Sequence, residues 1–272
     1  MQRSMAVAGA LALAEALGAP VGPASTGPQA AAGAGMVVEL RQYTLHPGQR
    51  DVLVRLFERE FVETQEAAGM HLLGQFRDLH DRDRFVWLRG FDDMPRRAEA
   101  LAAFYGGSAW QAHRDAANAT MVDSDNVLLL RPARAGSGFV RDRAPPPAAG
   151  AVIPLGVVEA RLLYAPSTVS DGQVEAVLAA AEAPLRRVGG SLLAAMVDEP
   201  AANNFPRLPV REGEHVLALF AQFPTRSAYD AYRAALLASA PWRGAVEALV
   251  TGAPRPPDVL LLSPTPRSRL PR

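Results

Sequence analysis

The chain has 272 residues, enough for two domains of ordinary size, and its 49% hydrophobic content can form buried cores. Its 28 basic residues balance 28 acidic ones, so no strong overall field favours nucleic acid or anionic lipid as a partner. The sequence contains neither cysteine nor lysine. This excludes disulfides, thiolate nucleophiles, lysine Schiff bases and the lysine-containing phosphate loop.

The first 35 residues are rich in alanine and glycine and resemble an export signal only weakly. Arg3 precedes an apolar stretch at 5–14, but Glu15 interrupts it. No apolar run reaches the ~20 residues that a membrane-spanning helix needs. We interpret residues 1–35 as a mobile extension, with Met36 as an alternative start. A cytoplasmic location is expected, and export by the weak signal is the alternative.

The pattern of residues 36–132 predicts one βαββαβ unit. The predicted elements, in order, are a strand at 37–45, a helix at 51–68, strands at 71–76 and 84–91, a helix at 94–119 and a strand at 126–132. Gly69 is a plausible stop for the first helix. Gly106 and Gly107 predict a break or bend in the second.

The same order of elements recurs in the second half. VVELR begins at 37 and returns as VVEAR at 157, an offset of 120, whereas VLLLRP at 127 returns as VLLLSP at 259, an offset of 132. The extra 12 residues place an insertion in the segment 198–215, whose Pro, Asn and charge predict an extended hairpin loop. The predicted organisation is an extension at 1–35, a first domain at 36–132, a Pro/Gly/Ala linker at 133–154, a second domain at 155–266 and a tail at 267–272.

A βαββαβ unit forms a four-stranded antiparallel sheet with both helices on one face, and its other face needs cover. The attached twin supplies that cover. We therefore predict an α+β fold in which two ferredoxin-like βαββαβ repeats pack as an intramolecular, pseudo-dimeric α+β barrel. A homodimer through exposed sheet edges is left open.

A set of motifs in the first copy resembles the NIPSNAP family of the dimeric α+β barrel superfamily. The set comprises MVVELRQYTLHPG, the strand RFVWLRGF, GG-x-x-W at 106–110 and the closing VLLL strand. In the second copy only the VVEAR strand, the helix with Trp242 and the VLLL strand are clear. The resemblance implies no settled activity. Relatives on the same fold include cofactor-free monooxygenases, isomerases of small aromatic acids and haem-binding peroxidases, and fold analogy does not choose among them.

Both copies carry a Glu-x-Arg pair on their first strand, Glu39 with Arg41 and Glu159 with Arg161. Two residues apart on a strand, each pair shares one face, and Val38 lies on the other. If the apolar face meets the helices, the charged pairs point into the barrel interior, where they would have to pair. Because both copies retain them, we interpret them as a structural ion network.

Other polar residues are concentrated in the first copy. Its candidate ligand-binding residues are Arg41, Tyr43, Arg77, Trp87, Arg89, Trp110 and Asn118. The arginines are suited to an anion because a guanidinium can bind both oxygens of a carboxylate, and the aromatic residues would form walls. Trp110 recurs as Trp242, so we interpret it first as a packing residue.

His113 and His71 are the candidate catalytic residues, because imidazole titrates near neutral pH. The five histidines form no HxH, HxxH or HxxxH pair, so no metal site is predicted. No GxGxxG, GxSxG or phosphate loop occurs, so no nucleotide cofactor is expected, and haem is left open.

The expected function is binding of a small, partly apolar or anionic molecule in the barrel. One alternative is a cofactor-independent monooxygenase or isomerase. Another is a structural or interaction module whose barrel is filled by side chains.

Overall fold

The strands expected from the sequence pattern are present in a computed structural model, which describes residues 36–271. The first copy contains β1 (Val37–Leu45), α1 (Arg50–Leu56), α2 (Val62–Ala67), β2 (His71–Asp78), β3 (Arg84–Phe91), α3 (Met94–Gly106), α4 (Ser108–Asn118) and β4 (Met121–Pro132). The second contains β5 (Val157–Tyr164), α5 (Asp171–Arg187), β6 (Ser191–Asp198), β7 (Val216–Phe223), α6 (Arg226–Ala238), α7 (Ala240–Val250) and β8 (Asp258–Pro264). The interpretation of 1–35 as a mobile extension concerns residues outside this description.

The two helices predicted in the first copy are each divided. A π-helical turn, Phe57–Phe61, separates α1 from α2. The second predicted helix divides at Gly107, whose extended backbone ends α3 and begins α4. The side chain of Asp93 caps α3 by accepting a hydrogen bond from the backbone of Arg96 at 2.7 Å.

The eight strands of residues 36–271 close into one barrel in the order β1-β3-β2-β8-β5-β7-β6-β4. The copies pair internally in the same register, since Val37 faces Phe91 in the first and Val157 faces Phe223 in the second. They join along two short seams, β2 with β8 and β4 with β6. The predicted pseudo-dimeric α+β barrel of two βαββαβ repeats is confirmed. The closed barrel leaves no unpaired strand edge within 36–271, so a homodimer would have to use helices or loops.

Apolar side chains from both copies fill the lumen of the barrel. The fully buried members with the inward orientation include Val38, Leu40, Phe76, Val86, Leu88, Leu130, Val158, Leu162, Met196, Phe220 and Leu262. An eight-stranded barrel is just wide enough for side chains to fill it. The condition under which Glu39 and Arg41 would point into the interior is therefore not met, because Val38 and Leu40 face the lumen and not the helices. The described side chains therefore occupy the lumen, where a ligand was expected from the sequence.

A second apolar core lies in each copy between the outer face of its strands and its own helices. In the first copy this core is aromatic and includes Phe57, Phe61, Phe85 and Phe104. The side chains opposite Val38 and Leu40 point into this layer, because successive residues of a strand alternate between faces. The charged residues of β1 therefore lie beneath the helices.

The segments between and after the copies are bound to the barrel. The guanidinium of Arg141, in the segment 133–154, lies 2.7 Å from Asp92. Arg267 is buried and donates to the carbonyl oxygens of Glu58 and Pro147. Over the described range, the chain forms no helix with the length and apolarity needed to cross a membrane.

Candidate functional site

Four of the candidate residues meet on the outer face of the sheet, beneath the helices of the first copy. Residues that pair directly across antiparallel strands share a face. Arg41 of β1 pairs with Trp87 of β3. Arg89 lies two residues after Trp87, and Tyr43 two residues after Arg41, so all four side chains project to the same side.

Glu39 lies at the centre of this group and contacts three arginines. Its carboxylate is 2.8 Å from Nη1 of Arg41, 2.7 Å from Nε of Arg89 and 2.7 Å from Nε of Arg97. All four side chains are at most 1% exposed. Burial alone would raise the pKa of Glu39, but Arg89, Arg41 and Arg97 outweigh it and hold that pKa well below its usual range. The carboxylate is therefore ionised, and the group carries two more positive than negative charges.

The other hydrogen-bond partners of these arginines are neutral. Nη1 of Arg89 donates to Oε1 of Gln65 at 3.0 Å, and Nε of Arg41 donates to the hydroxyl of Tyr43 at 2.9 Å. Burial raises the pKa of the Tyr43 phenol, so it keeps its proton at neutral pH. Because buried charge is costly unless it is compensated, two uncompensated charges at this depth call for an anionic partner.

Several buried polar atoms beside the arginines lack a partner. Nη2 of Arg89, Nε1 of Trp87 and both side-chain polar atoms of Gln75 make no hydrogen bond. Gln75 pairs with Trp87 across β2 and β3, so these groups share the outer face. Since most buried polar side-chain atoms in proteins are paired, each such atom requires an explanation.

A cavity of about 30 Å³ lies between the helices and this face of the sheet. The residues that line it are Tyr43, Leu53, Phe57, Phe61, Gln65, Trp87, Phe104, Tyr105, Trp110, Ala117 and Met121. The guanidinium carbons of Arg41 and Arg89 lie 5.6 and 4.9 Å from the ring centre of Trp87. The cavity therefore has aromatic walls with two cations beside one of them.

Two local features of the chain shape this cavity. The π-helical turn supplies Phe57 and Phe61, and π-helical turns are frequent at functional sites. The break at Gly107 lets α4 return across the aromatic layer, where Trp110 packs against Tyr105 with ring centres 4.9 Å apart.

The insertion of the second copy closes this region of the first. Nη1 of Arg97 donates to Oδ1 of Asn203 at 3.0 Å and to Oδ1 of Asn204 at 2.7 Å. The ring of Phe205 stacks on the cavity residue Tyr105 with centres 6.1 Å apart. Both copies therefore contribute to one site.

Comparison with known families now places the first copy. Residues 38–135 match the NIPSNAP family model. We refer to this matched segment as the NIPSNAP domain. Among solved structures, a NIPSNAP-like domain protein from Burkholderia xenovorans is 26% identical, covering 40% of this chain and 92% of its own, with a TM-score of 0.34. A NIPSNAP family protein of unknown function from Agrobacterium tumefaciens is 23% identical, covering 37% and 90%, with a TM-score of 0.35.

A structure that spans both copies shows the same fold. An anthrone oxidase-like protein is 17% identical, covers 85% of this chain and 91% of its own, and has a TM-score of 0.52. No curated protein sequence matches the chain.

The position in the second copy that corresponds to the NIPSNAP site is chemically simpler. Glu159 and Arg161 form a two-pronged ion pair, with Nε and Nη2 of the arginine at 2.9 and 2.8 Å from the carboxylate. At the offset of 132, Ala221 replaces Arg89 and Tyr229 replaces Arg97. One carboxylate there meets one guanidinium, so the excess positive charge belongs to the NIPSNAP domain.

The structure brings Arg41, Tyr43, Trp87, Arg89 and Trp110 together, as a ligand site would require. It places Arg77 and Asn118 elsewhere. Nε of Arg77 lies 2.8 Å from Oδ1 of Asp51 at the start of α1, and Asn118 is exposed at the end of α4.

The two candidate histidines do not line the cavity. His113 lies at its rim, with Nε2 3.3 Å from Glu60 and its ring centre 6.4 Å from that of Phe61. His71 has Nε2 3.5 Å from Asp92, and burial, followed by the nearby Arg141, lowers its pKa. Within residues 36–271, no three His, Asp or Glu side chains are grouped as metal ligands.

Sequence reasoning missed Arg97, Gln65 and the aromatic residues of the helices. A signal existed for Arg97, because it lies on the same helical stripe as the buried residues Ala100, Leu101 and Phe104. A charged residue within an apolar stripe indicates a buried partner. The contacts of Asn203 and Asn204 had no such signal, because they join residues more than 100 positions apart.

Proposed function

We propose that the NIPSNAP domain binds a small, partly apolar anion between its helices and the outer face of its sheet. The observation that carries the proposal is the set of three buried arginines around one carboxylate. An anion would offset part of the excess charge and accept a hydrogen bond from Nη2 of Arg89. The indole of Trp87 and the neutral phenol of Tyr43 are further donors, and the aromatic walls would hold the apolar part.

The volume of the cavity limits the size of the ligand that it can hold without a change in structure. About 30 Å³ admits only a few heavy atoms, since one water needs roughly 10–15 Å³ on this measure. Acetate suits this space, whereas an aromatic carboxylate requires the π-helical turn or the insertion loop to move. Acetate and benzoate are therefore complementary probes.

The chain has three tryptophans, so its indole NMR spectrum has three side-chain peaks that single Trp→Phe variants assign. We expect the Trp87 peak to move saturably with acetate or benzoate, because its unpaired Nε1 lies at the cavity. The uncharged analogues acetamide and benzamide should move it far less.

Arg41→Met removes one positive charge beside the cavity and leaves Glu39 bound to Arg89 and Arg97. We expect affinity to fall by roughly tenfold or more, because one of the two uncompensated positive charges beside the anion is lost. Arg233→Gln, an exposed arginine of the second copy, is the control and should leave the Trp87 titration unchanged. The proposal would be refuted if neither acetate nor benzoate moved the Trp87 peak, or if Arg41→Met bound them as tightly as wild type. Either result would favour the structural module with a filled barrel.

A cofactor-independent monooxygenase or isomerase is the second candidate, favoured by the contact of His113 with Glu60 and the wall residue Phe61. In that case His113 would exchange a proton with the bound molecule. His113→Ala would then abolish turnover while acetate still moves the Trp87 peak. A haem does not fit the cavity in its described form, so we assign no step to one. Two further points remain predictions from the sequence. The protein is expected to have no nucleic-acid partner, and it is expected to lie in the cytoplasm.

A further inference from the structure

The second copy contains a much larger cavity at the place where the NIPSNAP domain has a small one. Its volume is about 290 Å³, against about 30 Å³ in the first copy. It lies between the outer face of β5 and β8 and the helices α6 and α7. Arg161 and Trp242 line it, and these are the residues that correspond to Arg41 and Trp110 by the repeat offsets.

Two arginines give this cavity a positive lining. Arg161 uses Nε and Nη2 to bind Glu159 and stacks on Trp242 at 5.4 Å, which leaves Nη1 for another acceptor. Its side chain is 13% exposed. Arg233 of α6 is exposed and forms no ion pair within residues 36–271. The cavity lining therefore carries one guanidinium group that is paired with Glu159 and one that has no ion-pair partner in the described part of the chain.

The remaining wall is mostly apolar, apart from Tyr229 and His80, which belongs to the first copy. Leu237, whose side chain is 64% exposed, lines the cavity with Leu236 and Val259. Burial, followed by Glu159, raises the pKa of Tyr229, so its phenol is neutral and can donate a hydrogen bond. A volume near 300 Å³ is typical of the smallest ligand pockets.

We propose that the second copy holds a second binding site, for a small carboxylic acid with an aromatic or branched apolar body. The carboxylate pairs with Arg233 and Nη1 of Arg161, and the apolar body lies against Trp242 and Leu237. Apart from His80, this site is formed by the second copy, and it does not depend on the function proposed for the NIPSNAP domain.

The Trp242 indole peak reports on this site alone, since Trp87 and Trp110 lie in the first copy. Titration of the full chain with benzoate should move the Trp242 peak saturably, and benzamide should move it far less. Arg233→Gln should weaken benzoate binding by roughly three- to fivefold, the range for a partly exposed ion pair. Arg226→Gln is the matched control, because Arg226 lies on the same helix, pairs with Asp230 and does not line the cavity.

The outcomes are separable from those for the NIPSNAP site. A Trp242 peak that stays fixed in millimolar benzoate overturns this inference, whatever Trp87 does. Equal weakening in Arg233→Gln and Arg226→Gln also overturns it, because the effect would then be one of overall charge. A moving Trp242 peak with a fixed Trp87 peak supports the second site and contradicts the first.

Discussion

At the scale of single residues, the same strand motif has two different environments in one chain. Glu39 contacts three arginines that are at most 1% exposed, whereas Glu159 contacts one arginine, which is 13% exposed and borders the larger cavity. The difference lies in the neighbours, Arg89 and Arg97, which the second copy lacks. The motif predicts an ion pair in both copies, but the charge balance is set by residues on other elements.

Glu39→Gln should therefore destabilise the protein more than Glu159→Gln. Removing one partner of a buried ion pair costs about 3–5 kcal/mol, because the remaining charge is left uncompensated. For Glu159 we expect about 1–3 kcal/mol, since Arg161 can turn toward solvent. Urea unfolding at pH 7 measures both. If both variants lost the same free energy of unfolding, Glu39 would not be compensating the charges of the three arginines around it.

Wild type and Glu39→Gln should also differ in how their free energy of unfolding depends on pH. The folded pKa of Glu39 is lowered, so its contribution is complete above the unfolded value of about 4.3 and is lost as pH falls toward the folded value. The stability gap between wild type and Glu39→Gln should stay constant from pH 7 to about 5 and narrow below that. A gap that widens in acid would contradict the assigned ionisation.

Strand alternation correctly placed Glu39, Arg41 and Tyr43 on one face, because a period of two fixes relative orientation. It could not decide which face meets the helices. The eight-stranded lumen needs apolar side chains to fill it, whereas the helix layer supplies polar partners such as Gln65 and Arg97. That choice depends on tertiary packing, so the sequence pattern alone left it undetermined.

At the scale of elements, the insertion loop connects the two copies chemically. The repeat offsets located it, but not its contacts. Asn203 accepts from Arg97 and from the backbone of Phe205, and donates to the carbonyl of Leu208. These bonds hold the loop over the NIPSNAP site.

Asn203→Ala should release this loop. The variant loses an acceptor for buried Arg97 as well as two bonds within the loop, which together cost about 1–3 kcal/mol. We expect a lower urea midpoint and faster proteolysis within 199–215. Asn118→Ala, at an exposed position, is the control and should change stability by less than about 0.5 kcal/mol. Unchanged proteolysis in Asn203→Ala would mean that other contacts fix the loop.

At the scale of the whole molecule, the two copies share one lumen in addition to the core that each has beneath its own helices. Val38 and Leu88 of the first copy and Phe220 and Leu262 of the second belong to the same buried cluster. The seams between copies are only three residue pairs long. Hydrophobic burial in the lumen, more than hydrogen bonding at the seams, therefore couples the halves.

This coupling predicts a single unfolding transition for both copies. Fluorescence of Trp242→Phe reports the first copy through Trp87 and Trp110, and the double variant Trp87→Phe/Trp110→Phe reports the second through Trp242. Phe220→Ala, introduced into each, should lower stability by about 3–5 kcal/mol and shift both urea midpoints together.

Leu237→Ala is the control for that shift, because its side chain is 64% exposed and outside the lumen. It should change either midpoint little, since surface substitutions usually alter stability by less than about 0.5 kcal/mol. If Phe220→Ala moved only the Trp242 transition, the first copy would retain its structure without its twin. The lumen would then behave as two separate sets of side chains in contact. A single cooperative core would not allow one copy to unfold while the other stays folded.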